Sequence, residues 1–126
     1  MIEDIATYLQ TVGVGTIGST LFKGQIPTLP DNCVAVFQYA GSSPTVTHDK
    51  KVLDSPGLQI RVRNTEYSVG MTKAQEIIDL LSPKSNITIG TGFYLSVVAN
   101  QNPVPLGLDE KGRHEFSVNF SILKRR

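Results

Sequence analysis

The sequence predicts an α+β fold: a single domain with a mainly antiparallel β-sheet and two α-helices packed on one face. Three observations predict it. Apolar residues recur at helical spacing in only two segments, around 2–12 and 68–83. Much of the rest alternates with the period of two that marks a half-buried strand. The order helix, strands, helix, strands lacks the regular strand–helix alternation of a doubly wound parallel sheet. A length of 126 residues suits one domain, and neither an internal repeat nor a linker divides it.

The first segment, "IEDIATYLQTV", sets Ile2, Ile5, Leu9 and Val12 on one stripe. Glu3 and Asp4 fall in the first turn, where acids suit the helix dipole, and Gly13 offers a left-handed stop. Residues 16–23 read as a weak strand broken by glycines, and "IPTLPD" as a loop, because Pro27 and Pro30 interrupt pairing. "NCVAVFQYAG" is the clearest buried strand. Val34 and Val36 face one way and Cys33, Ala35 and Phe37 the other, which predicts cover on both faces. Residues 41–56 form a long polar connection, either a loop or a protruding hairpin arm.

"GLQIRVRNTEY" alternates Leu58, Ile60 and Val62 against Gln59, Arg61 and Arg63. The second helix carries Ala74, Ile77, Ile78 and Leu81 inward and ends at Pro83. It starts either at Thr72, with Gln75 completing a capping box, or nearer Ser68. "NITIG" is a short strand. "GFYLSVVAN" sets Phe93, Leu95, Val97 and Ala99 against Tyr94, Ser96, Val98 and Asn100. Residues 101–108 read as a Pro-broken link. In "HEFSVNFSIL", Phe116, Val118, Phe120 and Ile122 share one face, and 124–126 reads as a solvated basic tail.

Composition narrows the function. The formal net charge is +1, so the total does not point to nucleic acid. The single cysteine, Cys33, cannot form an intramolecular disulfide and reads as a small buried hydrophobe. No stretch approaches the ~20 apolar residues that span a bilayer. The acidic start is unlike a signal peptide, so synthesis in the cytoplasm is expected.

Motifs for chemistry are missing. His48 and His114 stand far apart, without a second cysteine and without HxxxH or HExxH spacing, so no metal site is predicted. "GVGTIG" follows a helix where a phosphate-binding glycine string would follow a strand. Neither a GxSxG nor a Walker lysine occurs. "DEKGRHEF" concentrates charge, but Asp109 and Gly112 give it the chemistry of a turn. His114 and Glu115 then face opposite sides of the strand that follows. No catalytic residue and no cofactor are predicted.

The remaining candidates are contact residues. Arg61 and Arg63 project roughly 6–7 Å apart on one strand face, suited to carboxylates of a neighbouring subunit or to phosphates. His48, Asp49, Lys50 and Lys51 occupy the long connection, and Asp109, Glu110, Lys111 and Arg113 the charged turn.

Three stretches carry a family resemblance: "PDNCV" followed by "GSSP"; "QIRVR" followed by a Tyr and a helix ending "IIDLL"; and "LGLDEKGRHEFSVNF". In this order and spacing, over about residues 1–123, the chain resembles the minor capsid or tail-terminator proteins of long-tailed bacteriophages, which complete the tail and join it to the head. The resemblance implies a structural virion protein, an α+β subunit without enzymatic activity or required cofactor. It implies a self-assembled ring, typically a hexamer, at the head-proximal end of the tail. Such a ring ends polymerisation of the tail-tube protein and meets the head-completion or connector protein, with DNA passing through its lumen and no membrane involved. The 41–56 segment would reach a neighbouring subunit or the tail tube, and the 109–113 turn would be a contact tip. A head-completion, connector or tail-tube protein of the same virion, a small enzyme, and a nucleic-acid-binding module are the alternatives.

Overall fold

The computed structural model describes residues 1–48 and 51–126. The elements are α1 (Ile2–Thr11), β1 (Leu21–Lys23), β2 (Cys33–Val46), β3 (Val52–Asn64), α2 (Tyr67–Leu81), β4 (Lys84–Ile89), β5 (Gly92–Ala99), β6 (Val104–Leu108) and β7 (His114–Arg125). The strands form one sheet in the order β1-β2-β3-β7-β5-β4. Among the described residues, every ladder between these strands is antiparallel except the short β1–β2 one. β7 is long enough to serve three neighbours. β3 runs along one edge, while β6 pairs its first half and β5 its second.

Both helices bury their stripes in one core with the same sheet face. Ile5 and Leu9 of α1, Ala74, Ile77 and Leu81 of α2, and Ile60, Phe116 and Phe120 of the sheet are all fully buried within it. Burying a side chain of this size contributes about 1.5–3 kcal/mol, so this shared layer dominates stability. α2 begins near the earlier of its two predicted starts, with Asn64 Oδ1 accepting the Glu66 N–H at 2.9 Å. Gly70 lets the helix approach the sheet: a Cβ there would lie 2.4 Å from the Phe116 ring. At the other end of the core, Asp4 accepts from Thr91 N–H at 3.2 Å and from the Tyr94 hydroxyl at 3.4 Å, tying α1 to the β4–β5 turn.

Most of the described part of the 41–56 segment is strand, which makes it a hairpin arm with β2 and β3 paired out to Val46 and Val52. Register shifts between Tyr39, Ser42 and Thr45 bend it. Gly41 permits the bend: its φ is +68°, and a Cβ would meet the Ser55 carbonyl oxygen at 2.1 Å.

Several sequence expectations need correction. The supposed link 101–108 contains β6, because Pro105 sits on an outer strand where a missing N–H is tolerated. Residues 124–126 are not a separate tail, although Arg125 and Arg126 are exposed. Lys124 and Arg125 finish β7, Arg126 N–H donates to Val52 O, and its guanidinium meets Asp54 at 2.9 Å. Regular alternation fails in β5, where an irregularity between Tyr94 and Ser96 lets both Tyr94 and Val97 be fully buried. β1 is only three residues long.

Candidate functional site

β2 was expected to be covered on both faces; Cys33 and Ala35 on its second face are buried, and the 24–32 loop leads into them. Two arginines hold that loop. Arg63, at the end of β3, donates from Nη2 to Pro27 O at 2.6 Å and Pro30 O at 2.7 Å, and from Nε to Asp31 O at 3.1 Å. Arg113, just before β7, donates from Nη1 to Thr28 O and to Asp31 Oδ1 at 3.2 Å. Asp109 holds Arg113 in turn, accepting from its backbone N–H at 2.8 Å and its Nε at 2.7 Å. These bonds, led by that from the Arg113 backbone N–H, hold the Asp109 carboxyl below its ordinary value. Arg63 is 3% exposed and Arg113 6%, so neither guanidinium is a surface charge. At the loop's apex, Leu29 is 68% exposed.

This changes the meaning of the sequence-predicted contact residues. Arg63 was read as suited to a neighbouring subunit's carboxylates or to phosphates; it is buried and bonds its own chain's carbonyls. Arg113 and Asp109, placed in a charged contact tip, brace the same loop. Arg61 stays half-buried on the open face, its guanidinium 5.7 Å from the Phe37 ring centroid and its Nε bonded to Gln59 Oε1 at 3.2 Å. Glu110 and Lys111 are exposed at the turn tip, and Lys51 and His48 at the arm's end. Asp49 and Lys50 lie outside the described residues.

The groups that could do chemistry do not converge. Cys33 opposes Arg63 across the ladder, while His114 opposes Asn64 on the other sheet face, where it meets Tyr67 edge-on at 5.4 Å. Neither hydrogen-bonds a carboxylate. Burial raises the Cys33 thiol above its ordinary 9.0, and Arg63 and Arg113 only partly offset this, so it is a protonated thiol at neutral pH. Among the described residues, no cluster of three or more potential metal ligands occurs, and no helix is long and apolar enough to cross a membrane.

Beside the clamped loop lies a groove of about 550 Å³ between α2 and the ends of β2 and β3. Val14, Val34, Val62 and Val69 supply its apolar wall, and Ser68 and Thr72 part of its rim. Sequence reasoning missed both the clamp and the groove. Two prolines bracketing a Leu in "IPTLP" were the one available signal for the apex.

A family model described as "Bacteriophage tail terminator protein" matches residues 8–125. No curated protein matches the chain. Among solved structures, a chain of "Virion of native gene transfer agent (GTA) particle" has a similar fold, with a TM-score of 0.62 at 10% identity. The match covers 96% of this chain and 86% of that one.

Proposed function

This chain belongs to the bacteriophage tail terminator family, and on that premise we propose that it closes the head-proximal end of the tail as a hexameric ring. It is a structural protein of the phage tail, and so of the virion. In the proposed role the ring caps the last layer of tail-tube protein, stops further addition, and offers its other face to the head-completion or connector protein. DNA passes through the lumen. The subunit works by contact alone, without catalysis or a cofactor.

The observation that carries this reading is the family match across nearly the whole chain. The distribution of polar groups agrees with it. Buried cations brace a loop, and the other described charged candidates sit at tips and on an open sheet face. A ring requires heterologous contacts that close, with roughly 800 Å² buried per partner. His48 and Lys51 at the arm's end, Arg61 on the open face, and Glu110 and Lys111 at the turn are the proposed contact residues, together with Asp49 and Lys50, which lie outside the described residues. Arg63, Asp109 and Arg113 would shape that surface from beneath.

Mass measurement and negative-stain microscopy of the purified chain, alone and added to tail tubes, test the proposal. Closed rings, and tubes whose growth stops on addition, are expected. Tubes that lengthen unchecked in its presence would overturn it.

A further inference from the structure

The outer half of β2, residues 38–46, is exposed throughout and carries no charge. β1 flanks β2 only from Val34 to Val36, so among the described residues this half has β3 as its one neighbouring strand. Its ladder with β3 is interrupted by two register shifts between Tyr39 and Thr45. Ala40, Gly41, Ser42 and Ser43 carry too little side chain to hold a strand by packing. Neither core burial nor a regular ladder therefore fixes the direction in which the arm leaves the sheet.

Two glycines at its base do so. Tyr39 pairs with Gly57, and its ring occupies the space of the missing side chain: a Cβ on Gly57 would overlap Tyr39 Cε2, Cζ and Cδ2. Tyr39 thereby covers Gly57, which is buried, while 43% of its own surface stays exposed. The reverse holds at Gly41. A Cβ there would run into the Ser55 carbonyl oxygen and lie 2.6 Å from the Gly57 nitrogen and 2.7 Å from the Pro56 carbonyl carbon. The φ of +68° at Gly41 turns the chain onto that backbone. Each strand lends bare backbone to the other: β3 seats an aromatic ring of β2, and β2 seats the 55–57 backbone of β3.

We propose that this interlock is a positioning device, which sets the angle of the arm in the free subunit so that the arm meets its partner already formed. The ring packed on Gly57 resists twisting of the arm about its own axis, and the close approach at Gly41 resists its bending away from β3. An arm fixed beforehand loses less conformational entropy on binding than one ordered by its partner. Tyr39 and Gly41 act through the arm and need touch no atom of the partner. The interlock stands on the geometry of the subunit alone; its use in assembly rests on the ring reading above.

Spin labels on Val46→Cys and Leu108→Cys, both at exposed positions, read the arm's direction as a distance distribution in a Cys33→Ala background. One narrow distance is expected for the subunit with Tyr39 in place and for Tyr39→Phe, which keeps the ring. Tyr39→Ala is expected to broaden the distribution and Gly41→Ala to shift it, with the circular dichroism of the folded core retained in both. When the chain is added to tail tubes, Tyr39→Ala is expected to raise the concentration that stops half of them roughly tenfold, and Tyr39→Phe to restore it. A broad distribution with Tyr39 in place, or an unchanged one in either alanine variant, would overturn the interlock. Broadening without any change in tube capping would overturn its use in assembly and leave the ring reading standing. A parent chain that neither forms rings nor caps tubes would overturn the ring reading and that use together, while the distances still decide the interlock.

Discussion

Arg63 and Arg113 converge on the Thr28 carbonyl oxygen, one from the end of β3 and the other from the turn that opens β7. The loop between β1 and β2 is thereby tied to two parts of the chain remote from it in sequence. Its carbonyls are bonded by side chains where a strand's would be bonded by a neighbouring backbone. The first two predictions follow from that convergence.

Removing Arg63 leaves the carbonyls of Pro27, Pro30 and Asp31 without their donor. Arg63→Ala is expected to lower subunit stability by about 2–4 kcal/mol. Arg63→Lys is expected to recover little of this, since one ammonium cannot copy the planar fork. Urea unfolding monitored by circular dichroism measures both. An unchanged midpoint in Arg63→Ala would mean that the clamp contributes nothing.

Acid should loosen the same loop. The Asp109 carboxyl is held below its ordinary 3.8, first by the Arg113 backbone N–H. The folded value is the depressed one, so the stabilisation is complete above the ordinary value and lost as pH falls through the folded value. Amide exchange across residues 24–32 is expected to accelerate below about pH 4 relative to the core strands. In Asp109→Asn the loop should exchange faster already at pH 7, with a weaker acid dependence.

Gly70 sets the distance between α2 and the sheet. A Cβ at this position would lie 2.4 Å from the Phe116 ring and 3.1 Å from Asn64 Cβ. Gly70→Ala is expected to destabilise by about 1–3 kcal/mol despite alanine's better helix propensity, because overpacking outweighs that gain. A thermal melt equal to or above that of the parent would show that the helix can move outward freely.

Arg61 separates assembly from folding. It is half-buried on the open face, stacked over Phe37 and bonded to Gln59. Arg61→Ala is expected to change subunit stability by less than about 1 kcal/mol while weakening the ring. Gel filtration with mass detection reads the second effect, and identical ring populations would remove Arg61 from the interface.

Local pattern made much of the fold legible. Ile5 and Leu9, Ala74 and Ile77, and the Phe116-to-Ile122 face lie where their spacing put them, because a buried face imposes its period directly on the chain. The alternation of 58–63 was also readable. The failures fell where a tertiary neighbour decides. β6 is a strand only because β7 runs beside it, and Arg126 is held only because Val52 and Asp54 lie alongside. The β5 irregularity follows the demand of both Tyr94 and Val97 for the core.

By itself, then, the sequence determined the class of fold, the inward faces, the absence of any motif for chemistry, and a family likeness carried by the order of three stretches. Only the tertiary structure decided what the charged residues do. A strand's alternation states which side Arg63 leaves from but not what waits there. Here it meets the carbonyls of a loop more than thirty residues away, and an arginine read as surface becomes the support beneath an exposed leucine. Hydrogen-bond partners remote in sequence leave no periodic trace, so that exchange of roles becomes visible only once the chain has folded.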